Sequence, residues 1–180
     1  GSSYVSASSS FNRSYTDLVP SAAITFNKNP MKQWSLTYSR RIDRPAYQDL
    51  NPFEFKLDEY TFMKGNIDLR PQYTNSFGIT HTYKYKLNIT LNYSHVKDLF
   101  TQLIDTVETS KAVATKKNLA TQDNVNLNVS YPFQYKTYSL FTNISGNYSK
   151  YKADFGTGRK VDIDAFGFNL FVQNSLKFSK

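Results

Sequence analysis

The sequence predicts an all-β fold: an antiparallel up-and-down transmembrane β-barrel segment of about eight strands. Three observations predict it. Six stretches alternate apolar and polar residues with a period of two, as half-buried strands do. The polar partners are almost all Asn, Ser and Thr, where a soluble strand usually carries Lys, Glu and Arg. The connections alternate between short and long, as in barrels with tight turns at one membrane face and longer loops at the other. The clearest stretch is Leu87-Asn88-Ile89-Thr90-Leu91-Asn92-Tyr93-Ser94. One face is oily, the other is neutral and hydrated, and no charge interrupts either. A bilayer-spanning wall needs that combination.

Taken in order, the first strand candidate, about Ser3 to Ser10, is weak and Ser-rich. Leu18 to Asn27 follows, with Ala22, Ile24 and Phe26 on one face, and Asn27-Lys28-Asn29-Pro30 is a tight turn signal. Gln33 to Ile42 places Trp34, Leu36 and Tyr38 outward and Ser35, Thr37 and Ser39 inward. Alternation then stops from Asp43 to Gln72, a long loop holding Pro45, Pro52 and Pro71. Thr74 to Lys84 resumes it, and a turn at Tyr85-Lys86 leads into Leu87 to Leu99. Phe100 to Thr121 is polar and irregular and is predicted as a second long loop. Gln122 to Tyr131, Thr137 to Lys150 and Asp162 to Phe178 are the last three strands. Pro132 to Lys136 is the short turn between the first two, and Asp154 to Arg159 is the loop before the third.

Composition agrees and excludes other classes. No run of about 18 apolar residues exists, so no membrane helix is predicted. Fourteen Tyr and fourteen Phe stand against one Trp, a mix that suits a bilayer interface as well as strands. Cysteine is absent, which removes disulfides and thiolate sites. The net charge is +8, but the basic residues are scattered, so no nucleic-acid partner is expected. Several lysines fall at turns (Lys28, Lys32, Lys84, Lys86 and Lys136), and others fall in loops within reach of anionic lipid headgroups. The sequence begins Gly1-Ser2-Ser3, without Met or a signal peptide, and ends mid-pattern at Lys180. The expectation is that residues 1–180 are a partial barrel cut from something longer.

The central third carries two specific motifs. They are Arg44-Pro45-Ala46-Tyr47-Gln48-Asp49-Leu50-Asn51-Pro52-Phe53 and Lys64-Gly65-Asn66-Ile67-Asp68-Leu69-Arg70-Pro71-Gln72-Tyr73-Thr74. Upstream stands Asp17-Leu18-Val19-Pro20-Ser21. These stretches resemble the barrel of TonB-dependent outer-membrane receptors, and the rest of the chain resembles it in pattern only. The resemblance implies a barrel of about twenty-two strands closed by an N-terminal plug, of which this chain is a piece without plug or energy-coupling box. It also implies nutrient uptake across the cell outer membrane. The implied partners are outer-membrane lipid, the remainder of the receptor barrel and its plug, and an energy-coupling protein reached only through that plug.

No catalytic constellation is expected, and no enzyme activity, metal or cofactor. His81 and His95 have no ligand partner at metal spacing. Asp98, Asp105 and Glu108 do not pair as catalytic carboxylates, and Gly156-Thr157-Gly158-Arg159 lies between strands rather than opening a helix. Asn88, Asn92, Asn128, Asn143 and Asn147 head Asn-x-Ser/Thr sequons, but they fall on the polar period of strands. With Thr90 and Asn126 they are expected to face the lumen. The 43–72 loop offers Arg44, Tyr47, Tyr60 and Lys64 for stacking and hydrogen bonding to a polar ligand. The competing expectation, given more weight, is that its motifs serve the fold, with Arg44 bonded to local carboxylates. Two alternatives stand beside the receptor segment: a complete eight-stranded outer-membrane barrel, and a soluble all-β ligand-binding module, which would need an apolar interior.

Overall fold

A computed structural model describes residues 2–6, 9–13, 16–29, 31–108, 111–156 and 158–178. Eleven strands and one short helix follow in chain order: β1 (Ser2–Ser6), β2 (Ser9–Arg13), β3 (Ser21–Asn29), β4 (Lys32–Asp43), α1 (Tyr47–Leu50), β5 (Glu54–Lys56), β6 (Thr61–Lys64), β7 (Gln72–Tyr83), β8 (Leu87–Glu108), β9 (Lys111–Tyr135), β10 (Tyr138–Asp154) and β11 (Lys160–Leu176). β1 and β2 form a separate antiparallel hairpin. The other nine strands make one sheet, whose main path runs β11-β10-β9-β8-β7-β4-β3. Every step on that path is antiparallel. Among the described residues β3 and β11 each pair on one side only. The wall is open, so the expected up-and-down segment is present and a closed eight-stranded barrel is not.

The registers turn the sequence periodicity into two faces. One apolar row crosses seven strands as Ile24, Leu36, Ile79, Leu91, Leu127, Gly146 and Phe168. The row beside it reads Ala22, Tyr38, Phe77, Tyr93, Val125, Tyr148 and Phe166. Between them on the opposite face runs Ala23, Thr37, Gly78, Asn92, Asn126, Asn147 and Gly167. Paired residues share a face, so one register slip would exchange the two surfaces.

Among the described residues nothing covers the apolar face. Leu91 is 42% exposed, Leu127 44% and Phe168 65%. Among the described residues the buried apolar side chains are Leu69, Val96, Val113, Ala114, Ala120 and Ala153, all at or beyond the long-loop end of the sheet. A soluble module would bury its apolar face, because that burial drives folding in water. This arrangement instead requires an apolar solvent around the middle of the sheet.

The predicted turn residues Asn27–Asn29 and Pro132–Tyr135 are strand, at the ends of β3 and β9, and two predicted loops change more. Phe100 to Thr121 is not a loop: β8 runs on to Glu108 and β9 starts at Lys111. The alternation there was hidden by irregular register near Val96, Leu99 and Phe100, where Asp98 adopts a left-handed backbone (φ 55°). Such bulges re-aim a strand. Beyond the bilayer neither face has to be neutral, so Asp105, Lys116 and Lys117 break the pattern too. The 43–72 stretch also holds structure: α1, and the β5–β6 hairpin, which adds to β9 in parallel through Thr61, Phe62 and Met63 opposite Ala112, Val113 and Ala114. At the other end the turns are short. Lys84 and Tyr85 both have positive φ (49° and 57°), the backbone that matches tight hairpins to strand twist. Lys136 has φ 51° in the β9–β10 turn.

Candidate functional site

The polar face is the first candidate. Asn88, Thr90, Asn92, Asn126, Asn128, Asn143 and Asn147 share it. Its side chains bond laterally. The Thr80 and Thr90 hydroxyls lie 3.3 Å apart, Thr82 donates to Asn88 at 2.8 Å, and Asn128 and Asn143 exchange amide bonds at 3.2 and 3.3 Å. Gly78 and Gly167 create room for this layer. A Cβ at Gly78 would meet Thr37 Oγ1 at 2.5 Å and Asn92 Oδ1 at 2.8 Å, and one at Gly167 would strike the Asn147 amide. The result is a neutral wall of amides and hydroxyls bonded to one another across the strands.

The second candidate is the 44–71 segment above it, where the sequence motifs pack on each other. Asn51 and Gly65 meet backbone to backbone. Gly65 N donates to Asn51 O at 2.9 Å, Asn66 N donates to Asp49 O at 2.6 Å, and a Cβ on Gly65 would lie 2.6 Å from Asn51 N. Asn51 Oδ1 accepts from Phe53 N and Asn66 Oδ1 accepts from Asp68 N, so each Asn closes a local turn. Asn66 Nδ2 then reaches Lys116 O on β9 at 3.0 Å, while Leu69 is buried at 1% exposure. Asn118 completes the anchor. Its Nδ2 donates to Arg70 O (2.8 Å) and Asp98 O (2.6 Å), and its Oδ1 accepts from Arg70 N (2.8 Å). Lys116 pairs with Asp49 at 2.8 Å, and Arg70 with Asp98 at 2.9 Å.

The four residues expected to touch ligand are spread over this unit. Arg44 lies 3.7 Å from Asp17, whose other oxygen accepts from the Tyr73 hydroxyl at 2.8 Å. Asp17, Arg44 and Tyr73 come from three of the resembling stretches, so those stretches meet in one structural knot. Lys64 pairs with Glu54 at 3.6 Å, and Glu54 also accepts from Lys111 at 2.8 Å. That Lys111 bond, opposed by burial, and the nearby Lys64 hold the Glu54 carboxyl below its ordinary value. Tyr60 belongs to the β5–β6 turn, where its carbonyl accepts from Ala112 N and Asp58 accepts from Tyr60 N and Thr61 N. Those backbone bonds hold the Asp58 carboxyl low as well. Tyr47 lies on α1 and is 62% exposed. The arrangement favours the structural reading of these motifs. Asn118 and Asp98, which lock the segment down, were not singled out for this role, because their partners are distant in sequence and no local pattern marks them.

A groove of about 410 Å³ opens at the long-loop end of β9, β10 and β11. Lys97, Lys152 and Lys160 meet Asp98, Asp154 and Asp162 there, so it carries no net charge preference. Among the described residues no helix is long and apolar enough to cross a membrane, and the strands carry the apolar surface.

A model described as an outer membrane protein beta-barrel family matches residues 2–180. The chain belongs to that family. No curated protein matches the sequence. The apolar face is therefore the lipid-facing surface of an outer-membrane barrel wall, and the strands span the cell outer membrane. His81 stacks on Trp34 (centroids 4.1 Å apart) within that surface and bonds Gln33 O at 3.2 Å. A shallow apolar groove of about 270 Å³ lies over Gly146 on the same surface, beside Leu127 and Phe168.

Proposed function

We propose that this chain is a wall segment of a TonB-dependent receptor, one part of a larger plugged barrel that takes up nutrients. Its role is passive rather than enzymatic. The neutral Asn/Ser/Thr face lines the lumen, and the 44–71 unit stands at the outer mouth. The remaining strands of the receptor pair with the free edges of β3 and β11, and energy coupling acts through the plug. The observation that carries this reading is the pair of one-sided edges on a wall whose motif stretches, Asp17–Ser21, Arg44–Phe53 and Lys64–Thr74, resemble those receptors and lock together.

Two measurements test it. The sequence has no Cys, so single cysteines report cleanly. In cells, Asn92→Cys and Asn128→Cys are expected to react with a membrane-impermeant thiol reagent, and Leu91→Cys and Leu127→Cys are not. The opposite pattern would reverse the faces. Deleting the parent gene is expected to abolish uptake of a scarce metal chelate or glycan, and removing the energy-coupling protein should do the same. Uptake of all such nutrients unchanged in the deletion strain would remove the receptor assignment and leave the barrel wall standing.

A further inference from the structure

Charge is sorted along the barrel axis. All fourteen Asp and Glu fall in segments at the long-loop end, mixed there with Arg and Lys. The short-turn end carries Lys28, Lys32, Lys84, Lys86, Lys136 and Lys177, and no acid. All six are exposed, and none joins an ion pair among the described residues. Neighbouring turns are two strands apart, about 10 Å at strand spacing. That is close to the screening length at physiological salt, so the ammonium groups act as one field.

Three contacts fix the side on which this charge sits. The Lys32 and Lys84 ammonium groups lie 5.9 and 5.3 Å from the ring centre of Tyr83, and that of Lys136 lies 5.5 Å from the ring centre of Tyr135. Tyr83 continues the apolar row of β7 and pairs with Leu87, and Tyr135 continues that of β9 and pairs with Tyr138. Both rings face lipid at the rim. A tyrosine belt with unneutralised lysines laid on it, at headgroup depth, complements a surface that is apolar below and anionic above.

We propose that Lys32, Lys84 and Lys136, seated on Tyr83 and Tyr135, bind the headgroups of anionic phospholipids in the leaflet that meets the short turns. Phosphatidylglycerol supplies the required phosphate at the required depth. The inference rests on the membrane-spanning wall and not on the transport reading.

Trp34, the only Trp, lies on the apolar face two residues from Lys32 and reports on this rim. The experiment reconstitutes the whole parent barrel, carrying Trp34 as its single Trp, in phosphatidylcholine vesicles with increasing phosphatidylglycerol, one of the two lipids brominated in turn, and reads Trp34 quenching. Brominated phosphatidylglycerol is expected to associate about fivefold more strongly than brominated phosphatidylcholine, the effect of one lysine near an anionic surface. K32Q/K84Q/K136Q should abolish the preference, whereas K150Q/K152Q/K160Q, at the opposite rim, should keep it. No preference in the wild type, an unchanged preference in the first variant, or equal loss in the second would each overturn the proposal. If the first variant fails to insert, a salt series on the wild type decides. The preference should fall as salt rises, and a salt-independent preference refutes it.

Discussion

Leu91→Arg should destabilise the folded barrel by about 2–4 kcal/mol, the cost of a cation on the lipid face at the bilayer midplane. The position follows from β8 itself. Lys86 marks the short-turn boundary and His95, paired with Asp123 at 2.8 Å, marks the other. Nine residue steps at about 3.4 Å, tilted by about 40°, give a height of roughly 23 Å, close to the apolar band of such barrels. Leu91 is five steps above Lys86, so it lies near the middle. It is flanked by Ile79 and Leu127, with no acidic neighbour on its row to pair an arginine. Asn92→Arg, one residue on, points to the opposite face beside Gly78 and Asn126, where water solvates the guanidinium, and should cost under about 1 kcal/mol. The assay is reversible urea unfolding of the whole parent barrel carrying each substitution, with Trp34 as its single Trp, in phospholipid vesicles, read by Trp34 fluorescence. Equal costs for the two variants, or a cost for Leu91→Arg below about 0.5 kcal/mol, would falsify the face assignment, because surface changes in ordinary contexts fall within that margin.

Three further outcomes are expected. Gly65→Ala should loosen the 44–71 segment by about 1–3 kcal/mol, since its Cβ meets backbone of Asn51 and Asp49, while Gly78→Ala meets only side chains and should cost less; urea unfolding compares the two, and faster limited proteolysis within 44–71 is expected for Gly65→Ala alone. Asn118→Ala removes three hydrogen bonds, at about 1 kcal/mol each before discounting for exposure, so roughly 2 kcal/mol of anchoring should be lost; faster amide exchange around Arg70 is the readout, and unchanged exchange would show that Arg70–Asp98 suffices. Glu54 has a depressed folded-state pKa, so its contribution to β5–β6 docking is present above 4.5, its ordinary value, and is lost as pH falls below it. Hairpin protection should drop on acidification in the wild type, and Glu54→Gln should remove that dependence.

Much of the wall was legible because one constraint acted on every residue of it. From Thr137 to Ser149 the chain has lipid on one side and a polar surface on the other, so each residue declares its face. That constraint ends at the headgroups. Past Lys97 the extended β8 and β9 obey no neutrality rule, and irregular register near Leu99 removes the simple period of two. The strand continuation to Glu108 was therefore hidden, although Leu103, Ile104, Val113 and Thr115 favour strand. In the 44–71 unit the turn chemistry of Asn51 and Asn66 could be suspected locally. The clasp from Asn118 could not, because it depends on contacts 48 residues apart.

The two halves of the chain solve the same problem in different solvents. In the bilayer, strand pairing satisfies the backbone and lipid covers Leu91, Leu127 and Phe168, so no buried core is needed there. Above the bilayer the extended β8 and β9 would expose edges and apolar residues to water. The β10 pairing reaches only to Ala120 on β9, and the bare edge beyond it is where β6 adds, at Ala112, Val113 and Ala114. Unpaired edges invite pairing with other chains. The 44–71 unit thus covers the edge that the outward extension of β9 creates, and most of the small buried core is concentrated on that extension and the residues flanking it, Leu69, Val96, Val113, Ala114 and Ala120. On this account the resembling motifs encode protection of a protruding hairpin in water. Their presence should track the length of the β8–β9 extension rather than the identity of any cargo.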